Sequence, residues 1–401
     1  MEGLKKFTQI SIDFIEHSIK ANQREDKLYH AYNLMSSTED EVSISHLSEM
    51  LEGQVAAISS GFLDAKETLE ILNSLRNSAL YREDQNSYIL YPNKELPKFL
   101  EKNILPKDKV QHSLLLNKLL QNQNFTILNQ DIKGDYHFNG NFHNANDLKA
   151  ALEQLKSNVD YKILVEKEAT IILQIFEEVF NHKSFTGRSG TFYGYEGLGS
   201  IYWHMVSKLH VAVQEVCIKA ISDNEYTAII NGLLSHYQEI GKGIGVHKSP
   251  SVYGAFPTDP YSHTPMYRKA QQPGMTGQVK EDILTRIGEL GVKVNDGKLQ
   301  FQPTILDKNE FLTQSQEVVF INVEGSKNNI LLEKNSLAFT YCQVPIIYTK
   351  STTNQMELFY KNGTIQRFDS LELDEDNSHK IFKRTAEIVK IIVSIKESLV
   401  F

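Results

Sequence analysis

The chain has 401 residues, of which 41% are apolar and 23% charged, so it can bury a sizeable core and should form two or more domains. Its formal net charge of -8 and its pI near 5.9 argue against a nucleic-acid-binding protein, because such proteins usually display a basic stripe. The composition therefore predicts a globular protein with no nucleic-acid partner.

The first twenty residues form an amphipathic segment in which Asp13, Glu16 and His17 interrupt the apolar positions. The segment lacks the apolar core of a secretory signal, and the chain contains no run of about 18 apolar residues. The two cysteines, Cys217 and Cys342, suit buried thiols in a reducing compartment better than a disulfide framework. We therefore expect a cytoplasmic protein that does not span a membrane.

Up to residue 290 the apolar residues recur at the spacing of an α-helix. The clearest case is Ile163–Phe180, which carries a broad apolar face. Helices are predicted near residues 42–60, 64–77, 109–121, 146–157, 163–180, 201–220, 223–240 and 278–290. Helix pairs therefore dominate the first three quarters of the chain.

Five long connections between these helices are rich in Tyr, His, Asn, Asp and Arg. They lie near residues 24–33, 81–92, 135–143, 185–204 and 247–278. Loops longer than about 12–15 residues in a compact domain are usually functional. The pattern favours a helical toroid whose loops meet at one mouth. The alternative is that some of these loops only cover the surface or supply packing aromatics.

Beyond Gly291 the apolar residues alternate, which is typical of strands. Asp296-Gly297 and Asn362-Gly363 each lie between alternating apolar residues and predict hairpin turns. Further strands are predicted at 318–323, 330–332, 337–348 and 388–395. The predicted fold is mainly α with a C-terminal β domain: a helical toroid-like domain over 1–290 and an antiparallel β-sandwich over 291–401.

The stretch from Phe185 to His204 holds five glycines, six aromatic residues and the only Trp of the chain. Glycine is costly inside a helix or strand, so the stretch is typical of a binding loop. Sugars suit such a loop, since their C–H faces lie on aromatic rings while their hydroxyls bond to polar groups. Candidate sugar contacts are Tyr193, Tyr195 and Trp203 in this loop, and Tyr261, His263, Gln271 and Gln272 in the loop over 247–278.

The loop over 247–278 contains five prolines, which predict a conformationally restricted wall of a site rather than a flexible lid. At its end Gly274, Thr276 and Gly277 open a predicted helix. Free N–H groups at a helix start, beside a hydroxyl and glycines, can bind an anion. Thr276 could equally serve as an ordinary N-cap.

Two segments resemble a known family. Gly199-Ser-Ile-Tyr-Trp-His204 resembles the Gly-x-x-Tyr-x-His segment that opens a helix in the cellobiose and chitobiose phosphorylases, which are inverting glycoside phosphorylases. The passage from Gly274-Met-Thr-Gly-Gln278 through the Asp-Gly turn to Pro303 is similar to their phosphate loop, last toroid helix and first C-terminal hairpin. The resemblance covers about residues 185–350.

The resemblance implies that one carboxylic acid protonates the glycosidic oxygen of a β-linked oligosaccharide while inorganic phosphate attacks the anomeric carbon from the opposite face. Phosphate would be a co-substrate, and no cofactor or metal is expected. By position His204, Thr276 and Gly277 would contact phosphate, and Arg188 is added only for its charge and loop context. The alternative for His204 is a histidine bonded to a neighbouring carbonyl.

Three carboxylates are candidates for the general acid. Asp26 follows from the position of the family's acid upstream of the histidine, although the family's Asp-Trp-Asn-Asp pattern is absent and exposure of Asp26 is the alternative. Glu196 lies among aromatic residues, where desolvation could raise its pKa, but it could also only bind sugar hydroxyls. Asp259 lies between Pro257 and Pro260.

The complete enzymes of this family carry an N-terminal β-sandwich and a full double ring of helices, for which this chain lacks room. The resemblance therefore implies an incomplete (α/α)6-type toroid and the C-terminal half of a larger glycoside phosphorylase or glycoside hydrolase. A separately encoded N-terminal half would be its partner, and the alternative is a non-catalytic sugar-binding remnant. A metal-dependent hydrolase ranks last, because no His-x-x-x-His or His-Glu-x-x-His pair occurs on a predicted helix.

Overall fold

The computed structural model describes residues 2–37, 40–93, 99–181, 201–244, 263–264 and 278–400. Helices predominate up to residue 289 and strands from residue 292 onward, so the predicted change of structure near residue 290 is confirmed. The chain divides into two compact units, unit 1 of Met1–Pro92 and Gly199–Phe401, and unit 2 of Asn93–Leu198. Residue 290 lies inside unit 1, and its role as a domain boundary stays a prediction.

The first part of unit 1 combines helices with short hairpins. Its elements are α1 (Glu2–Ala21), β1 (Leu34–Ser37), β2 (Val42–Ser45), α2 (Leu51–Ser59), α3 (Ala65–Arg76), β3 (Tyr81–Arg82) and β4 (Ser87–Tyr88). A capping box begins α3: the Asp64 carboxylate accepts from the Glu67 N–H at 2.7 Å, and the Glu67 carboxylate accepts from the Asp64 N–H at 3.0 Å. Such caps stabilise a helix by about 1 kcal/mol.

The predicted helix over 42–60 is wrong for its first part. Residues 42–45 form β2, which pairs antiparallel with β1, and the helix begins only at Leu51. Val42 and Ile44 alternate with serines in this segment. β-Branched residues favour strands, and serine side chains compete with helical backbone bonds, so local propensity explains the difference.

The described part of unit 2, residues 93 and 99–181, is built from helices and one hairpin. Its elements are α4 (Phe99–Lys102), α5 (Lys107–His112), α6 (Leu114–Gln121), β5 (Leu128–Gln130), β6 (Tyr136–Phe138), α7 (Ala145–Lys156) and α8 (Val159–Phe180). The Glu168 carboxylate of α8 accepts bonds from the Ser113 hydroxyl and from the Leu114 and Leu115 N–H groups at 2.6–3.0 Å. It therefore satisfies the first turn of α6, where an anion is favoured by the helix dipole.

A long buried helix organises the helical part of unit 1. The elements are β7 (Ile201–Tyr202), α9 (Trp203–Ser222), α10 (Thr227–Gly243), β8 (His263–Thr264) and α11 (Gln278–Glu289). α9 packs against α2, α10 and α11. The predicted burial of Cys217 on α9 is confirmed, and burial raises the pKa of its thiol to about 12. The helix-rich character is thus confirmed, whereas the ring arrangement of a toroid is not.

The remainder of unit 1 is strand-rich. Its elements are β9 (Val292–Asn295), β10 (Lys298–Phe301), β11 (Gln316–Ile321), β12 (Lys327–Leu332), β13 (Ser336–Tyr341), β14 (Val344–Ser351), β15 (Gln355–Tyr360), β16 (Ile365–Phe368), α12 (Glu375–Phe382) and β17 (Ile388–Lys396). The predicted turn at Asp296-Gly297 joins β9 to β10, with φ of 47° and 77°. Positive φ at both central residues is the geometry that Asp-Gly supports, so this prediction is confirmed.

Five of these strands form one mixed sheet in the order β13-β14-β17-β15-β16. The prediction of a purely antiparallel sheet is wrong for one pair, because β14 and β17 are parallel. The chain passes through β15, β16 and α12 before it returns as β17, and a connection of this length permits parallel pairing. β9–β10 and β11–β12 form separate two-stranded pairs, so the sandwich arrangement is not confirmed.

The strand predicted over 337–348 is interrupted by a turn. Cys342 and Gln343 connect β13 to β14 and have φ of 48° and 65°. Neither residue is a typical turn former at positive φ, which is why the sequence contains no signal for this hairpin.

Candidate functional site

The start of α9 lies beside two segments that are distant in the sequence. β7 pairs with β8, so that the backbone of Tyr202 lies opposite the backbone of His263. Tyr202 is also the N-cap residue of α9 and makes no side-chain capping bond. Helix N-terminal turns are a general kind of anion-binding position, because their N–H groups and the helix dipole favour negative charge.

His204, in the first turn of α9, contacts the first turn of α11. Its Nε2 lies 3.1 Å from Glu281 Oε1, across 77 residues of sequence. Its Nδ1 lies 3.4 Å from the Tyr202 hydroxyl, at the long end of hydrogen-bond distance. The His204 side chain is 17% exposed and that of Glu281 only 6%. The contact therefore brings the N-terminal turns of two helices together around a nearly buried carboxylate.

Glu281 is the functional candidate that the sequence reasoning missed. Its Oε2 is buried and has no hydrogen-bond partner among the described residues, while Lys280 Nζ lies 3.7 Å from Oε1. A buried carboxylate with an unsatisfied oxygen is costly and is retained where a ligand or a neighbouring group needs it. The one available sequence signal is its place in the first helical turn after Thr276-Gly277.

Asp282 follows Glu281 in α11. Its burial, together with the neighbouring Glu281 carboxylate, raises the pKa of Asp282. The start of α11 thus carries two neighbouring carboxyl groups, Glu281 and Asp282. A ligand anion at this position would need compensating positive charge from histidine, arginine or helix N–H groups.

Asp26 does not have the character of a general acid. Its carboxylate accepts from Arg24 Nε at 3.0 Å and from Arg24 Nη2 at 2.9 Å, and it also accepts from the Leu28 N–H. The bond with Arg24 lowers the pKa of Asp26, whereas a general acid needs a raised pKa. Asp26 instead closes the turn over residues 24–28.

Trp203 is 1% exposed and packs in the hydrophobic core of unit 1. The indole therefore stabilises the start of α9, and stacking on a sugar ring would require the ring to be uncovered. Its assignment as a sugar contact stays a prediction. His263 is brought to the same helix start by the β7–β8 pairing of its backbone.

The other predicted site residues lie outside the described residues. They are the candidate acids Glu196 and Asp259, the candidate sugar contacts Tyr193, Tyr195, Tyr261, Gln271 and Gln272, and the candidate phosphate contacts Arg188, Thr276 and Gly277. Of the predicted loops, 24–33 and 81–92 lie in unit 1, whereas 135–143 lies in unit 2. The meeting of all five loops at one mouth stays a prediction.

Within the described ranges, no group of three or more His, Cys, Asp or Glu side chains is arranged to hold a metal ion. In the same part of the chain, no helix combines the length and the apolar character needed to cross a bilayer.

Comparison with protein families relates one segment to a carbohydrate-active enzyme. Residues 96–183, which lie within unit 2, match the family described as GH149 phosphorylase insertion domain 2. A comparison with curated proteins gave no match. This match supports a relationship of the segment to glycoside phosphorylases, and it does not distinguish the cellobiose and chitobiose phosphorylases among them.

Proposed function

We propose that the chain carries the phosphate-binding part of an inverting glycoside phosphorylase that acts on β-linked oligosaccharides. Two independent observations support this function. The segment over 96–183 matches an insertion domain of a phosphorylase, and the segment that resembles a phosphate-binding motif lies elsewhere, in unit 1. On this proposal, unit 2 is an insertion into the helical domain.

The contact between His204 and Glu281 is the observation that supports a phosphate site between the first turns of α9 and α11. Thr276 and Gly277 immediately precede α11 in the sequence, and the first turn of α11 contacts His204. A phosphate held between the two helix starts would meet His204, the N–H groups of both first turns and the Thr276 hydroxyl. Arg188 would supply a further positive charge.

The reaction needs one acid and no activated water. Phosphate oxygen forms a bond to the anomeric carbon as the bond from that carbon to the glycosidic oxygen breaks. The acid transfers its proton to the departing oxygen, so the products are a sugar 1-phosphate of inverted configuration and a shortened oligosaccharide. Glu196 and Asp259 remain the proposed acids, because Asp26 is paired with Arg24 and its pKa is lowered.

Calorimetric titration of the chain with inorganic phosphate tests the site. We expect His204→Asn to weaken phosphate binding by about 10-fold to 100-fold, equal to the loss of one hydrogen bond to a charged group. His379→Asn is the matched control, since His379 is an exposed histidine on α12. Equal phosphate affinity in the wild type and the His204 variant would contradict the assignment.

Release of sugar 1-phosphate from β-linked oligosaccharides tests the reaction. Phosphorolysis requires phosphate and yields a sugar phosphate, whereas hydrolysis yields free sugar without phosphate. We expect Glu196→Gln to abolish turnover while sugar binding persists; unchanged turnover would transfer the acid to Asp259. Binding of phosphate and sugar without turnover would assign the chain to the sugar-binding remnant or to an enzyme that needs a second polypeptide.

A further inference from the structure

Glu281 combines deep burial with an incomplete set of hydrogen bonds. Its side chain is only 6% exposed. Oε1 lies 3.1 Å from His204 Nε2, while Oε2 is buried and has no hydrogen-bond partner in the described part of the chain. A buried charged oxygen without a bond is costly, so Oε2 marks a place where a ligand supplies the missing partner.

The chemistry of a carboxylate defines what this partner must be. An ionised carboxylate only accepts hydrogen bonds, and it repels an oxygen that carries no hydrogen. The nearby cationic group, Lys280 Nζ, lies 3.7 Å from Oε1 and makes no hydrogen bond to Oε2. The partner of Oε2 therefore has to be a donor from a ligand, with an N–H or an O–H group.

Another carboxylate illustrates a purely structural role at a helix start. Beside the first turn of α6, Glu168 Oε2 accepts from the Ser113 hydroxyl and the Leu115 N–H, and Glu168 Oε1 accepts from the Leu114 N–H. Both oxygens of Glu168 are therefore paired within the protein. Glu281 lies beside the start of α9 with only Oε1 paired among the described residues, so helix capping does not account for Oε2.

The surroundings of Glu281 indicate which kind of donor it meets. Glu281 lies in the first turn of α11, and His204 lies in the first turn of α9. Helix N-terminal turns favour negative charge, so an anion suits this position. A carboxylate beside an anion is unfavourable unless the anion brings a hydrogen that the carboxylate can accept. A protonated oxyanion meets both requirements.

Phosphate keeps at least one hydrogen near neutral pH, whereas sulfate keeps none. We propose that Glu281 is a specificity-determining residue of the phosphate site. Its Oε2 accepts a hydrogen bond from the protonated oxygen of hydrogen phosphate and repels sulfate, while other phosphate oxygens face His204 and helix N–H groups. This inference rests on the proposed phosphate site and gives a reason for a carboxylate to lie there.

Calorimetric titrations of the full chain with phosphate, arsenate and sulfate, at neutral pH and one ionic strength, test this role. Arsenate has the shape and the hydrogen of phosphate, whereas sulfate has a similar shape and no hydrogen. For the wild type we expect arsenate to bind within about 3-fold of phosphate and sulfate to bind at least about 100-fold more weakly, since a site built to accept a bond rejects an analogue that lacks the donor.

Glu281→Gln tests the residue itself. The amide can direct its oxygen toward His204 and its NH2 group to the place of Oε2, where it donates to either anion. We expect sulfate to bind this variant within about 10-fold of phosphate. Asp282→Asn is the matched control, because it removes the same charge one residue along the helix while Glu281 stays in place. It should change the affinity for both anions by a similar factor and keep the selectivity.

The outcomes separate this inference from the proposed function. A wild type that binds no phosphate would contradict the phosphate site, and with it both the proposed function and the role of Glu281. A wild type that binds phosphate and sulfate equally would leave the phosphate site standing and overturn the role of Glu281 alone. Equal loss of selectivity in Glu281→Gln and Asp282→Asn would also overturn this role, because general charge would then explain the effect.

Discussion

The two ends of α11 both bury polar groups against α9, and they differ in how completely these groups are paired. Near the C-terminal end, Gln214 Nε2 donates to the Tyr237 hydroxyl at 2.9 Å and to the Thr285 carbonyl at 2.8 Å. The Tyr237 hydroxyl in turn donates to Glu289 Oε1 at 2.7 Å. At the N-terminal end, Glu281 bonds to His204 and keeps a buried oxygen without a partner in the described part of the chain.

This difference separates a structural network from a candidate binding site. A buried network whose groups are paired stabilises the fold, while a buried carboxylate with an unpaired oxygen costs stability. Such a cost is typical of positions retained for binding or catalysis. Substitutions at the C-terminal end should therefore reduce stability, and substitution of Glu281 should not.

The largest loss of stability is expected for Gly291→Ala, at a residue just beyond the C-terminal end of α11. Gly291 has φ of 65°, and an added Cβ would lie 2.0 Å from the Gln302 carbonyl carbon. The backbone must move, so we expect the free energy of unfolding to fall by about 3 kcal/mol in urea titrations.

Gly297→Ala is the matched control for backbone conformation alone. Gly297 has φ of 77°, but nothing lies within 4 Å of its added Cβ. This substitution should lower the free energy of unfolding by only about 1 kcal/mol, through the positive φ alone. Equal costs at the two glycines would show that close packing at the end of α11 contributes little.

Tyr237→Phe removes the hydroxyl that links Gln214 to Glu289. Because both partners lose a bond in a buried setting, we expect the free energy of unfolding to fall by about 2 kcal/mol. Thermal and urea unfolding measure it, with Tyr226→Phe as control, since Tyr226 is 79% exposed. A loss no larger than that of the control would mean that this network does not stabilise the fold.

His236 can be compared with Glu281, because its side chain also has a buried polar atom without a partner in the described part of the chain. His236 Nε2 bonds to Asn73 at 2.9 Å, while its Nδ1 is buried without a partner among the described residues. Burial lowers the pKa of His236 below its ordinary value of 6.5. The folded state then binds fewer protons than the unfolded state, so stability is complete above pH 6.5 and falls as the pH drops below it.

The melting temperatures of the wild type and His236→Gln between pH 7.5 and pH 5 measure this effect. We expect the wild type to lose its advantage over the variant as the pH falls. A constant difference across this range would contradict a neutral buried imidazole.

The smallest effect on stability is expected for Glu281→Gln. The amide keeps the shape of the side chain and removes a buried charge, so the free energy of unfolding should stay within about 0.5 kcal/mol of the wild type or rise. Glu289→Gln, on the same helix, should lower it by about 1 kcal/mol through the weakened bonds to Tyr237 and Arg286. A Glu281 variant less stable than the Glu289 variant would remove the contrast between the two ends.

Several elements could be predicted because their causes are local. The spacing of apolar residues identified α8 and α9, and Asp296-Gly297 identified the β9–β10 turn. The Cys342-Gln343 turn escaped prediction because its residue types do not favour positive φ. β2 was missed for another reason, because the helical interpretation overlooked the alternation of Val42 and Ile44 with serines.

The site was predictable only in part. His204 was proposed from its motif, and its contact with phosphate stays a prediction. The role of Asp26 rested on sequence position alone, and its pairing with Arg24 argues against it. Glu281 escaped notice because a glutamate in a first helical turn is ordinary until packing buries it. The segment over 96–183, which matches a phosphorylase insertion domain, escaped notice because its helices have the same periodicity as the helices around it.

The sequence by itself determined where helices give way to strands and which residues begin α9, since both depend on patterns within a few residues. Only the tertiary structure decided that β17 lies parallel to β14 and that Glu281 is buried against His204. These contacts join residues far apart in the chain, and they form because α9 packs against α11 and because β14 and β17 bury their apolar side chains in one core.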